Sequence, residues 1–286
     1  MPSLIDIRRR IRSVKNTQQI TKAMKMVSAA KLRRAQDRTI ASRPYAGMLR
    51  TVLGNVAAAA LSDDRAAENP LLARREERRI LLVLITADKG LAGAFNTNLI
   101  KAAQRFSIEH PGAGVQMVLI GRKGRDFFRK RDTAVVSDHV GLAAKARYDD
   151  VAAIARQAIA MFQGEEIDAV YVLGNQFKSV VAQTLSVARV LPVEIPQQTE
   201  AVDYLFAEPP AEMLADLLPR YVEMEFYRAL LESTAAEHAA RMTAMDAATS
   251  NAADMIDKLT LYMNRVRQAS ITKEIIEVVS GAAAAE

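Results

Sequence analysis

Residues 231–266, LESTAAEHAARMTAMDAATSNAADMIDKLTLYMNRV, decide the fold. Leu231, His238, Met245, Ala252, Leu259 and Val266 recur every seven residues, and Ala235, Met242, Thr249, Ile256 and Met263 follow four positions behind each of the first five. Such an a/d seam, kept up over several heptads, is the pattern of a two-helix supercoil. The surrounding helix is predicted to run from Ala211 to Ser280, with no glycine and one early proline, Pro219. At ~1.5 Å per residue it would be on the order of 100 Å long, more than a compact domain can bury. It needs a partner along its length.

The other end of the chain supplies one. Leu4 to Ala41 contains neither Gly nor Pro, opens with Ser3 as N-cap, and carries Ile7, Ile11, Val14, Ile20, Met24, Val27 and Leu32 at helical spacing. Two terminal helices bracketing a middle should pair antiparallel. The first helix is expected to reach about Ala60, with a kink or an early end at Pro44, because proline disfavours helix in the residue before it. It is also strongly basic. The first fifty residues hold thirteen Lys and Arg, among them Arg8, Arg9, Arg10, Arg12 and Lys15, against two acids, Asp6 and Asp37, while the whole chain carries a net charge of +6. Nucleic acid, an anionic membrane surface and an acidic protein partner would each suit such a rod.

Composition narrows the classes. The absence of cysteine excludes disulfides, thiolate metal sites and cysteine nucleophiles. Histidines at 110, 139 and 238 are too scattered in sequence to suggest a ligand cluster. Apolar runs such as Ile80 to Ile85 fall far short of the roughly 20 residues of a membrane span, and no signal-peptide pattern precedes the first helix, so a soluble, intracellular protein is expected.

Leu61 to Arg79 reads as a linker, charged and interrupted by Asn69-Pro70. Beyond it the pattern changes period. Ile80 to Thr86, Val115 to Gly121 and Asp168 to Gly174 are continuous apolar runs, the mark of strands buried on both faces. Helical patterns lie between them, Asn98 to Glu109 with Asn96 or Thr97 as cap, and Tyr148 to Phe162. This alternation predicts a small Rossmann-like, doubly wound α/β domain with a parallel sheet. Phe177 to Val190 alternates apolar and polar residues, as an added edge strand or hairpin would. The predicted organisation is therefore a coiled-coil helix over 1–60, a linker over 61–79, the α/β domain over 80–205, and a second coiled-coil helix over 206–286.

Phosphate cradles are not evident. Asp88 to Gly93 follows the first strand where a glycine-rich loop would sit, but fits neither GxGxxG nor GxxxxGK[ST]. Gly121 to Arg125 is basic and follows a strand, yet reads as a turn glycine with surface charges. The acid pairs Asp149-Asp150 and Glu165-Glu166 fall at helix ends, and His238 occupies a seam position. No catalytic residue, cofactor or metal site is indicated.

Four motifs carry a resemblance. They are IRSVKNTQQITKAMKMV at 11–27, SRPYA at 42–46, DKGLAG at 88–93 leading to Asn96, and NRVRQASITKEI at 264–275 followed by Ser280-Gly281-Ala282-Ala283. Together they resemble the gamma subunit of F-type ATP synthases from end to end, Ala92 being a departure where many members have cysteine. The resemblance implies a shaft turning inside an alpha-beta hexamer whose beta subunits do the nucleotide chemistry. The α/β domain would lie near the epsilon subunit and the membrane c ring, on the cytoplasmic face of a bacterial plasma membrane, and membrane association would be indirect. Arg8 and Lys15, in the basic first helix, would face acidic loops of beta. Met24 and Arg241 would lie at the shaft's contact with beta. Arg267, Gln268 and Thr272 would act as polar catches on alpha and beta, and Tyr204 would touch epsilon or the c ring. The apolar last turns, Ile271, Ile275, Ile276, Val278 and Val279, would sit in a hydrophobic bearing. The alternatives are a basic coiled coil that binds nucleic acid and a nucleotide-dependent α/β enzyme.

Overall fold

The structure, a computed structural model, describes residues 3–60, 69–131, 133–179, 182–195 and 208–283. Its elements in order are α1 (Leu4–Ala59), a short 3-10 turn (Pro70–Leu72), β1 (Arg79–Ile85), α2 (Phe95–Glu109), β2 (Gly114–Ile120), α3 (Arg122–Phe128), β3 (Ala134–His139), α4 (Leu142–Lys145), α5 (Tyr148–Gln163), β4 (Ala169–Phe177), β5 (Gln183–Leu191) and α6 (Pro210–Ala283). The chain forms two compact units, Met1–Ser28 with Met242–Glu286, and Ala29–Arg241.

The first unit consists of the outer parts of α1 and α6. At its start Ser3 and Asp6 form a capping box: the Asp6 N–H donates to Ser3 Oγ (3.2 Å) and the Ser3 N–H to Asp6 Oδ2 (3.3 Å). The carboxylate at this end also opposes the clash between the following arginines and the helix dipole. Thr249 Oγ1 lies 2.8 Å from Thr21 Oγ1, and Lys25 Nζ lies 2.5 Å from Asp246 Oδ1, so the two helices run antiparallel. On α6, Met245 and Ala252 are buried, and Thr249, Ile256, Leu259, Met263 and Val266 are half-buried, as the heptads require.

On α1 the covered positions are Leu4, Ile7, Ile11, Val14, Gln18, Thr21, Lys25 and Ser28, alternating steps of three and four. Three of the apolar positions expected on one stripe thus part company. Met24 is half-buried, but Ile20 and Val27 are 60% and 56% exposed. A two-helix contact covers one narrow seam, and here polar residues continue it while Ile20 and Val27 face away. The antiparallel partner also runs out: from Ile271 to Gly281 every side chain of α6 is exposed.

The expected break at Pro44 does not occur, and α1 continues through it to Ala59. Pro44 and Ile40 both lie on the exposed side, where water can take up the carbonyl that the missing N–H leaves open.

In the second unit the sheet order is β3-β2-β1-β4-β5, with β5 antiparallel and every other pairing parallel. β1 is buried on both faces, which explains its unbroken apolar run. Leu81, Val83, Val118, Ile120, Val170 and Val172 pack with α5, the later part of α1 (Leu53, Val56) and the early part of α6 (Leu218, Val222, Phe226). Ile80, Leu82, Leu84, Met117 and Leu119 pack on the opposite side with Leu99 and Phe106 of α2 and Phe128 of α3. Helices on both faces of a mostly parallel sheet make this doubly wound. The edge hairpin is β4–β5.

Four elements go beyond the sequence reading, the 3-10 turn, β3, α3 and α4. β3 is a half-buried edge strand, and the basic turn after β2 opens helix α3. Asn96, expected to cap α2, instead accepts the Ala87 N–H through Oδ1 (2.9 Å), and α2 starts at Phe95 without a side-chain cap. The turn into α3 depends on Gly121. Its φ is +96°, and a Cβ there would lie 2.1 Å from the Thr86 carbonyl oxygen. Gly121→Ala should cost roughly 2–4 kcal/mol, combining backbone strain with overpacking. Urea unfolding of the chain measures it, and a loss under about 1 kcal/mol would mean that this turn relaxes freely.

Candidate functional site

In an open α/β sheet, ligands sit beyond the strands' C-terminal ends where the strand order reverses, here between β1 and β4. In this chain the fold's own groups occupy that region. Ser233 and Ala236 of α6 are buried, and a Cβ at Gly174 of β4 would lie 3.6 Å from Ser233 Cβ. Beyond β1, Thr86 Oγ1 accepts the Gly124 N–H (2.9 Å). The Asp88 carboxylate accepts the N–H groups of Arg122 (3.0 Å) and Gly141 (3.0 Å to Oδ2). The leading amides of α3, which in a nucleotide-binding protein would face a phosphate, are therefore used within the chain, on Asp88, the Ala87 carbonyl and Thr86 Oγ1.

Arg241 lies nearby, 8% exposed. Its guanidinium donates to the carbonyls of Lys89 and Gly90 (both 3.3 Å) and to His238 Nδ1 (3.3 Å), and pairs with Glu237 Oε1 at 2.7 Å. Burial pushes the Glu237 carboxyl up, against the pull of Arg241. A cleft of about 210 Å³ opens here, lined in part by Lys31, Arg34, Arg38, Lys89, Glu237 and Arg241. Leu91, at the tip of the loop these carbonyls belong to, has φ +61° and is 64% exposed. Sequence reading missed it, and its one signal is an apolar residue set among glycines in DKGLAG.

The other expected contact residues are on the first unit. Arg8 and Lys15 are exposed on α1 and Met24 is half-buried. Arg267, Gln268 and Thr272 are exposed on α6 just past the point where α1 begins, with Thr272 Oγ1 donating to the Gln268 carbonyl (3.0 Å). These three form one polar band. Beyond it Ile271, Ile275, Ile276, Val278 and Val279 are 48–72% exposed. Tyr204 lies outside the described residues. No described helix is long and apolar enough to cross a membrane, and no three described His, Asp or Glu side chains are grouped to hold a metal ion.

Burial, with the cations Arg241 and Lys31 adding to it, lowers the pKa of His238 from 6.5 to about 4. As pH falls below 6.5 the unfolded chain takes up a proton that the folded chain refuses, so stability present above pH 6.5 is lost progressively towards pH 4. His238→Gln should flatten the dependence of unfolding free energy on pH across that window. An unchanged slope in denaturant titrations would assign the acid sensitivity to other groups.

A family model described as ATP synthase matches residues 3–285. The chain is 77% identical over 286 residues to the ATP synthase gamma chain of Solibacter usitatus, covering all of both chains. It is 48% identical over 289 residues to that of Pelotomaculum thermopropionicum, again covering 100% of each. Among solved structures, the fold is similar to a chain of the Tetrahymena thermophila mitochondrial ATP synthase central stalk and c ring, with TM-score 0.61 and 28% identity over 80% of this chain and 99% of that one. It is also similar to a chain of the Euglena gracilis mitochondrial ATP synthase in rotational state 3, with TM-score 0.70 and 18% identity over 98% and 94%. With a heptad-paired helix unit, a sheet whose ligand crevice is filled from within, and full-length identity of this order, the chain belongs to the gamma chains of ATP synthase.

Proposed function

We propose that this chain is the central-stalk rotor of a bacterial F-type ATP synthase, turned by a membrane c ring and acting on catalytic beta subunits that it does not itself resemble chemically. The observation that carries this reading is the unit in which α6 outlasts its antiparallel partner and ends in an exposed stretch, 271–281, that leaves Ile271, Ile275, Ile276, Val278 and Val279 bare. A free tail of this kind would be a liability in water. Seated in the bore of an alpha-beta hexamer it becomes a bearing. The same setting gives the basic side chains of α1 acidic loops of beta to face, and Gln268, Arg267 and Thr272 form the band that meets alpha and beta at the bearing's rim. The family gives no support to the nucleic-acid alternative.

The mechanism is one of population shift. Two unlike helices have no three-fold symmetry, so at any angle three beta subunits meet three different faces. Each face biases its subunit differently between open and closed states, and rotation moves the biases round in sequence. The proposed location is the cytoplasmic face of the plasma membrane, peripheral, through the c ring. Epsilon would pack on the sheet unit, with Tyr204 at the contact with epsilon or the c ring. Arg241, whose guanidinium is held within the sheet unit, is not assigned to the exposed contact set.

Assembly is the direct test. Expressed with alpha and beta subunits of a close relative, one copy of the chain should join three of each and restore ATPase activity; a hexamer that forms without it and is equally active would refute the rotor role. Met24 is half-buried beside the seam, where a lysine stem can lie along the helix and keep its head in water at a cost under about 1 kcal/mol. Met24→Lys should accordingly leave thermal stability and ATP hydrolysis nearly intact and depress proton pumping in membrane vesicles. Equal loss of hydrolysis and pumping would count against Met24 as a contact.

A further inference from the structure

We propose that Arg241 is a positioning residue, the helix-side anchor of a hydrogen-bonded strut that fixes the C-terminal edge of the sheet to α6 so that the two turn as one body. The proposal rests on the rotor reading for its purpose, though not for its geometry. The strut can be followed atom by atom. Arg241 reaches from α6 to the carbonyls of Lys89 and Gly90 (3.3 Å each). One residue earlier, Asp88 takes the Arg122 N–H (3.0 Å) at the start of α3 and the Gly141 N–H (3.0 Å) ahead of α4. The segment before it is held as well, Ala87 by Asn96 (2.9 Å) and by the Lys123 N–H, which donates to the Ala87 carbonyl (3.1 Å). One connected set of bonds thus runs from the long helix across the exits of β1, β2 and β3.

Apolar packing alone would not do this. Side chains on the sheet faces resist separation of helix from sheet, but contacts between them are non-directional and yield to sliding. A planar guanidinium bonded to two backbone carbonyls fixes direction as well as distance. Glu237 completes the anchor: at 2.7 Å from Arg241 and buried, it neutralises the cation and orients the fork. His238, accepting through Nδ1, holds a third side of the guanidinium (3.3 Å).

Two substitutions cut the strut at opposite ends. Arg241→Lys keeps a positive charge beside Glu237 but loses the fork, and Asp88→Asn leaves α6 untouched while removing an acceptor from the far end. Amide hydrogen exchange on the full chain should show the bonded amides that flank this loop, those of Ala87, Phe95 and Lys123, exchanging about tenfold faster in Arg241→Lys, and the Arg122 and Gly141 amides likewise in Asp88→Asn. In the assembled enzyme, protons pumped per ATP hydrolysed should fall in both variants. Because they break one strut, the double variant should be no worse than the more affected single one. Unchanged exchange in Arg241→Lys would overturn the anchor. Faster exchange with an unchanged pumping ratio, or additive losses, would overturn its role in carrying torque. Arginine-specific rescue, with Arg241→Lys impaired as Arg241→Gln is, would support it. The exchange experiment needs no partner subunit, so it is decided even if the chain proves not to turn in a hexamer.

Discussion

A helix pair can bury only one stripe from each partner, and that restriction governs the first unit. The seam of α1, Leu4 through Ser28, mixes Ile and Val with Gln18, Thr21 and Lys25, and its hydroxyl and charge contacts to Thr249 and Asp246 set register where apolar contacts could slip. Stability from so thin a contact is modest per residue. The Lys25–Asp246 pair is exposed and adds little beyond direction. What the narrow seam leaves over is surface, and among its many charged residues Ile20, Val27, Ile271, Ile275, Ile276, Val278 and Val279 are apolar and uncovered.

The sheet unit solves the opposite problem. Its central strands β1 and β4 are buried on both faces over most of their length, and the later part of α1 and the early part of α6 serve as two of its covering helices. The long helices are therefore ordinary core elements over part of their length and bare supercoil over the rest. Ala-rich sequence serves both settings: Ala236 packs in the core cluster with Leu84 and Leu173 of the sheet, and Ala252 is buried in the helix pair.

Heptads from Leu231 to Val266 were sufficient to announce the supercoil, and three apolar runs the parallel strands, because each is a repeat visible without knowing the partner. The antiparallel edge hairpin was legible from alternation between Phe177 and Val190. What escaped reading depends on tertiary contact. β3 carries Ser137 and Asp138 in a half-buried edge and shows no clean period. α3 hides behind Arg122, Lys123 and Gly124, the last being glycine because a Cβ would meet Thr86 Oγ1 at 2.9 Å. Apolar spacing alone put Ile20 and Val27 on the paired stripe of α1, where the polar Gln18, Thr21 and Lys25 sit instead. At the candidate site, Arg8, Lys15, Arg267, Gln268 and Thr272 are exposed on the first unit, while the burial of Arg241 could not be foreseen: nothing near it in sequence names the carbonyls of Lys89 and Gly90 as its partners.

Asp88 has a wider consequence. A sheet with this strand order offers a crevice at its strand ends where other proteins bind nucleotides. Here its own carboxylate is seated against the Arg122 and Gly141 amides, so those two donors are taken up within the domain. The three leading amides of α3 are thus spent inside the fold, on Asp88, the Ala87 carbonyl and Thr86 Oγ1, and that helix start has nothing left to offer a phosphate.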